Sequence, residues 1–147
     1  SLVWILTIIV FMIFFITGSV SESTDKRLAV NLTPVEKDIV LGEMRQVLKA
    51  LNGVLRYVGE ENFKEASVAA KSAGAGMAVD VNPVLMAKLP IEFKKLGMSM
   101  HDDFDQLSKE LNQGMGQGAS IKRLGEITNK CLACHAAYRL NEVKSAK

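Results

Sequence analysis

The residues best suited to chemistry lie close together near the end of the 147-residue chain. Cys131 and Cys134 are three positions apart, and His135 follows directly. On a helix this spacing places both thiols on one face, where they can form thioether bonds with the two vinyl groups of a haem. The imidazole of His135 is then available to the iron. The C-x-x-C-H pattern is typical of covalent attachment of one haem c.

Two other uses of the cysteine pair stay open at this point. A thioredoxin-like redox pair needs its CxxC at the start of a helix beside a βαβ pattern, and the surrounding sequence predicts only helices. A zinc site needs four ligands, and the chain contains two Cys and two His, His101 being the fourth. Adjacent ligands at 134 and 135 suit tetrahedral coordination poorly. The residues therefore favour haem.

Composition argues against several other classes of function. The net charge is only +2, so the chain lacks the electrostatic footprint of a nucleic-acid-binding protein. Neither a Gly-rich phosphate-binding loop nor a second pair of cysteines for a disulfide framework is present. The sequence shows no acid–base pair or activated nucleophile, so we do not expect an enzyme.

The first twenty residues carry no charged side chain. A helix of about 19 residues covers about 28 Å, close to the roughly 30 Å of a bilayer's hydrocarbon core. We therefore predict a single-pass transmembrane anchor over residues 1–20, in contact with lipid over residues 2–20. A cleaved signal peptide is the alternative, because residues 18–21 are small. Residues 21–32 are predicted to form a polar tether.

Residues 33–147 predict four helices joined by short connections. The first starts with a capping box at Thr33 and Glu36 and ends near residue 58. The second helix starts at about Glu61 and is followed by a break at residues 80–83. The third starts after Pro90, and the fourth runs from Ile121 to about Val143. No segment shows sustained strand alternation. The predicted fold class is all-α, an antiparallel four-helix bundle with one N-terminal transmembrane helix.

The residues around the cysteine pair resemble the cytochrome c-prime family. Residues 131–139 read CLACHAAYR, which is similar to the family's C-x-x-C-H-x-x-[YF]-R near the C-terminus. The resemblance covers about residues 33–143. Outside residues 131–139 it rests on the pattern of residue types more than on identical residues. It implies a left-handed antiparallel bundle with haem on the last helix. It also implies two branches, one with an open distal iron face that binds NO or CO, and one with a methionine as sixth ligand.

Met44 lies on the first helix where the resemblance places the distal methionine. We expect Met44 to bind the iron together with His135, which gives a low-spin haem. The alternatives are that Met44 is an ordinary core residue, or that the register is shifted so that Val40 or Leu41 is the distal neighbour.

Two further residues, His101 and Arg139, are candidates for parts of the site. His101 is a rival sixth ligand, but Asp102 and Asp103 follow it, so we expect it to face solvent. By the resemblance, Arg139 lies near the haem edge, where its guanidinium can balance a propionate. The alternative for Arg139 is a solvated cation near a helix C-terminus, where the helix dipole favours positive charge.

The predicted function is a membrane-anchored monohaem c-type cytochrome that transfers single electrons between donor and acceptor proteins or within a respiratory or photosynthetic complex. Haem attachment to CxxCH implies, by the same resemblance, a haem domain on the periplasmic side of the inner membrane. The alternative is a five-coordinate haem protein that binds NO or CO. No nucleic-acid partner is expected.

Overall fold

A computed structural model describes residues 2–78 and 82–144. In that part of the chain it contains six α-helices, one short 3-10 helix and a three-stranded sheet. The α-helices are α1 (Leu2–Thr17), α2 (Pro34–Gly59), α3 (Phe63–Lys71), α4 (Pro83–Lys88), α5 (Ile91–Asn112) and α6 (Gln117–Ala137). The strands are β1 (Val20–Glu22), β2 (Leu28–Leu32) and β3 (Tyr138–Glu142), and the 3-10 helix is Ala75–Ala78.

The larger core lies among α2, α3, α5 and α6, which pack against one another. Its fully buried side chains include Val54, Phe104, Leu107 and Ile127. Helix α2 starts as predicted, because Thr33 and Glu36 form a reciprocal capping box: the Glu36 amide donates to Thr33 Oγ1, and the Thr33 amide donates to Glu36 Oε2. The local start signal was therefore read correctly.

The smaller core lies under the sheet. Strand β2 is central, antiparallel to β1 and parallel to β3. Its Val30 and Leu32 are fully buried and pack with Leu85 and Leu89. Leu28 is paired with Tyr138 in the register of the parallel strands. The sheet thus joins the segment before α2 to the segment that directly follows α6.

The predicted all-α fold is therefore wrong. Residues 21–32, predicted as a polar tether, contain strand β2, and the last helix ends at Ala137 instead of near Val143. The chain becomes extended at Tyr138, with φ −127° and ψ 153°. A five-residue strand offers little alternation to detect, and its partner lies at the other end of the chain. Residues 80 and 81 of the predicted break at residues 80–83 lie outside the described residues, and Pro83 starts α4.

The predicted transmembrane helix is also wrong. Helix α1 has 16 residues and a length of about 24 Å. Among the described residues, no helix combines the length and apolar character needed to cross a membrane. The chain turns at Gly18, which has φ +70°, and the Ser19 amide then donates to Lys88 O at 2.7 Å. The uncharged run continues past this turn, so composition did not reveal where the helix ends.

Candidate functional site

A half-open cavity of about 250 Å³ lies where α2, α6 and β3 meet. It brings together four of the residues singled out from the sequence: Met44 of α2, Cys134 and His135 of α6, and Arg139 of β3. The remaining lining residues are Arg27, Lys37, Leu41, Phe93, Tyr138 and Leu140. Four lining residues are apolar and are called the apolar wall below, namely Leu41, Met44, Phe93 and Leu140, and the rest of the lining is polar or cationic.

The two cysteines lie in the last two turns of α6. Both are free and half-buried, and burial raises the pKa of each thiol above its ordinary value. Cys134 lines the cavity, whereas Cys131, one turn earlier on the helix, is not among its lining residues. Disulfide exchange and metal coordination both use the thiolate, which this environment disfavours. Burial therefore argues against an activated redox pair.

His135 is exposed at the end of α6 and borders the cavity. Its backbone carbonyl accepts a hydrogen bond from Arg27 Nη1 at 3.2 Å, and Tyr138 O accepts from the same nitrogen at 3.4 Å. The last carbonyls of a helix lack partners within the helix, so Arg27 satisfies an otherwise open position. A residue from the β1–β2 hairpin thereby holds the end of the helix that carries the CxxCH motif.

Arg27 was missed by the sequence reasoning. It falls in the segment predicted as a tether, where a lone arginine between polar residues is an ordinary solvated cation. Asp25 binds it, with Oδ2 accepting from Nη2 at 2.6 Å and from Nε at 2.9 Å. These hydrogen bonds hold the pKa of the Asp25 carboxyl far below its usual range. Only the parallel pairing of β2 and β3 brings Arg27 to the cavity.

Met44 is half-buried and lies in the cavity wall. Of the two alternatives for its position, Leu41 also lines the cavity, whereas Val40 is buried in the smaller core. The side chain of Met44 packs against that same core. Met44 therefore combines a packing role with access to the space beside His135 and Cys134.

The expectation that His101 faces solvent is wrong. Its ring is buried, and Nδ1 lies 2.7 Å from Ala73 O. On α5, His101 lies three residues before the buried Phe104, so both occupy the same helix face. The two aspartates that follow His101 suggested a polar edge, but the helix turns them away from this face. His101 is not among the residues that line the cavity.

The cavity residues fit a haem attached through α6. A haem combines an apolar ring, two carboxylates and an iron that takes axial nitrogen or sulfur ligands. The lining offers an apolar wall, three cations, an imidazole and a thioether. Within residues 2–78 and 82–144, no group of three or more His, Cys, Asp or Glu side chains is placed to hold a bare metal ion. An iron porphyrin needs no such group, because the ring supplies four of its ligands.

Comparisons of the chain with protein-family models, with curated proteins and with solved structures gave no match. The resemblance to the cytochrome c-prime family therefore stays a prediction from the sequence pattern.

Proposed function

We propose that the protein is a monohaem c-type cytochrome that transfers single electrons. In this proposal Cys131 and Cys134 would hold the haem covalently, and His135 and Met44 would bind its iron. The observation that supports it best is the shared cavity, since Met44 comes from α2 while Cys134 and His135 come from the end of α6. Two axial donors of the types used by electron-transfer cytochromes thus border one space.

Several side chains around the cavity have a definite part in this proposed function. When bound, the haem supplies an iron that alternates between the ferrous and ferric states. The thioether of Met44 favours the ferrous state and so raises the potential. Phe93 and Tyr138 pack edge to face, with ring centroids 5.4 Å apart, and with Leu140 they would offer apolar contacts to the ring. The hydrogen bonds from Arg27 keep the His135 backbone in place.

Covalent haem tests this proposal directly. The full chain is produced in a bacterial periplasm that contains the c-type maturation machinery, beside a variant with Cys131→Ser and Cys134→Ser. We expect the mass of the original chain to rise by one haem and its pyridine haemochrome spectrum to be that of haem c, while the variant shows neither. An original chain that matures without haem would overturn the proposal.

The proposed haem attachment also implies a cellular compartment and a class of partner. Haem attachment to a CxxCH motif needs reduced cysteines outside the cytoplasmic membrane, as the resemblance implies, so we propose an extracytoplasmic haem domain. The partners are then redox proteins or a redox complex in the same compartment. Maturation of the haem protein in the periplasm but not in the cytoplasm of the same host is the expected result.

The side chains of helix α1 form an exposed and mostly apolar surface. Every side chain from Leu2 to Thr17 is exposed, and apart from Thr7 and Thr17 all of them are apolar. Fourteen exposed apolar side chains on one helix are costly in water, and the acyl chains of a lipid surface would cover part of them. We therefore propose lipid as the partner of α1, through contact that does not cross the bilayer.

Flotation with phosphatidylcholine vesicles tests the lipid contact. The full chain should float with the vesicles, and a variant carrying Ile9→Lys and Ile13→Lys should stay at the bottom of the gradient. Leu132→Lys is the matched control, because Leu132 is 67% exposed but lies on α6. A full chain that stays at the bottom contradicts the proposed contact.

A further inference from the structure

Three cations from three separate segments border the cavity. Arg27 comes from the β1–β2 hairpin, Lys37 from the first turns of α2 and Arg139 from β3. Among the described lining residues there is no carboxylate to balance them. Positive charge gathered at the edge of an apolar cavity favours a ligand with an apolar body and an anionic end.

The acidic partners of these cations lie outside the cavity. Asp25 forms an ion pair with Arg27 and lies 3.8 Å from Arg139. The carboxylate of Glu142 lies 3.5 Å from the Lys37 ammonium, which is long for an ion pair. The side chain of Glu142 is 54% exposed, and such a surface pair contributes little. The Lys37 ammonium can therefore exchange Glu142 for an anion within the cavity without losing a strong interaction.

Arg27 keeps a fixed position while it borders the cavity. Its Nε and Nη2 donate to Asp25, and its Nη1 donates to the carbonyls of His135 and Tyr138. A guanidinium has five N–H donors, so these contacts hold the planar group without removing its charge. Arg27 thus combines a structural contact to α6 with a guanidinium that borders the cavity while Asp25 balances its charge.

We propose that Lys37 and Arg27 bind the two carboxylates of an iron porphyrin, so that the cavity selects a ring with free propionates over an uncharged one. This role rests on the proposed function, because it requires a haem in the cavity. It assigns to the hairpin and to the start of α2 a part in ligand selection. The apolar ring then contacts Leu41, Phe93 and Leu140, which a small inorganic anion would leave unused.

The preference for free carboxylates is measurable without covalent attachment. The full chain with Cys131→Ala and Cys134→Ala is titrated with ferric protoporphyrin IX and with its dimethyl ester, which has the same ring. We expect the diacid to bind about tenfold more tightly than the ester, as charge-assisted hydrogen bonds to two carboxylates allow. Lys37→Gln and Arg27→Gln should each remove most of this preference, and Arg27→Lys should restore it in part.

Lys49→Gln is the matched control, since Lys49 is exposed on the same helix and outside the cavity. It should leave the preference unchanged. Equal affinity for the two porphyrins in the parent chain, or a preference that survives Lys37→Gln and Arg27→Gln, overturns the carboxylate role while the haem site stands. A parent chain that binds neither porphyrin, together with mature protein that lacks haem, overturns the proposed function as well.

The mature haem protein offers a second measurement that does not depend on folding without haem. Removing a cation beside the ring disfavours the added electron, so Lys37→Gln should lower the midpoint potential. Lys49→Gln should leave the potential where it is. An unchanged potential in the Lys37 variant also overturns the carboxylate role.

Discussion

Met44 is the residue on which the proposed coordination of the iron depends. It is half-buried against the smaller core and borders the cavity that Cys134 and His135 share. Its sulfur is a suitable sixth ligand, and its packing contacts keep the side chain at the cavity wall. Under the proposed function, whether the protein carries electrons or binds a gas would therefore depend on this one side chain.

Replacing Met44 with Ala should convert the ferric haem from low-spin to high-spin. The variant loses the thioether and opens the iron to CO, whereas the original chain keeps a far-red methionine charge-transfer band. Absorption and electron paramagnetic resonance spectra check both states. Met100→Ala is the control, because Met100 packs against the larger core. A high-spin, CO-binding original chain would favour the five-coordinate gas-binding alternative.

Asp105 gives a second prediction at the scale of single residues. Lys71 Nζ donates to its carboxylate at 2.6 Å and the Ala75 amide at 2.9 Å. These hydrogen bonds, that from Lys71 first, lower the pKa of Asp105 below 3.8. A carboxyl with a lowered folded-state pKa stabilises the protein above its unfolded pKa, and this contribution is lost as the pH falls through the folded-state value.

Asp105→Asn should therefore lower the free energy of unfolding by about 1 to 3 kcal/mol near neutral pH. The difference from the original chain should begin to shrink as the pH falls below about 4, where the carboxyl of the unfolded chain becomes protonated, and it should be lost once the pH is below the lowered folded-state pKa. Urea unfolding at the two pH values measures it. Asp38→Asn, at an exposed position on α2, should change little. A difference that stays constant with pH would contradict the ionic origin.

At the scale of elements, the end of α1 depends on Gly18. Its φ of +70° is a conformation that side chains rarely adopt. A Cβ atom there would also lie 2.5 Å from Lys88 O and 2.6 Å from Pro90 N. The turn therefore needs glycine for both backbone conformation and space, and it seats α1 directly against α4 and the start of α5.

Gly18→Ala should destabilise the protein by about 1 to 3 kcal/mol, from the left-handed conformation alone, with the close contacts adding to this. Gly125→Ala is the matched variant, because Gly125 lies inside α6 with no neighbouring atom within 4 Å of a Cβ. Its replacement should stabilise the protein by about 0.5 to 1 kcal/mol. Thermal and urea unfolding measure both, and equal effects would contradict this account of the turn.

At the scale of the whole molecule, the hairpin that follows α1 and the strand that follows α6 meet beside the candidate site. Strand β2 pairs with β3 in parallel, and Asn141 Nδ2 donates to Asn31 Oδ1 at 2.8 Å. Arg27 adds its contacts to the end of α6. The CxxCH motif is thus held from both sides, by the larger core along α6 and by the sheet at its end.

Leu140→Asp should loosen this junction. Leu140 is half-buried and packs against the smaller core, and a half-buried carboxylate there would disfavour the pairing of β3 with β2. The β1–β2 hairpin then opens more often, so trypsin should cleave after Lys26 and Arg27 faster than in the original chain, as mass spectrometry would show. Leu132→Asp, at an exposed position, should leave the cleavage rate unchanged. Equal rates in all three chains would contradict this coupling.

Local interactions explain why parts of the fold were predictable. The capping box at Thr33, the helix after Pro90 and the spacing of Cys131, Cys134 and His135 all depend on residues within four positions of one another. Such signals are complete in the sequence, because the groups that interact are close neighbours along the chain. The residue types of the candidate site, such as the CxxCH motif, could likewise be recognised from the sequence alone.

The tertiary structure determined which of these residues come together in space. The parallel pairing of β2 with β3, the arrival of Arg27 at the cavity and the burial of His101 against Ala73 each depend on residues far apart in sequence. A short strand becomes stable only when a distant partner satisfies its backbone hydrogen bonds. Sequence periodicity carries no record of that partner, so the sheet and the cationic edge of the cavity emerged only with the fold.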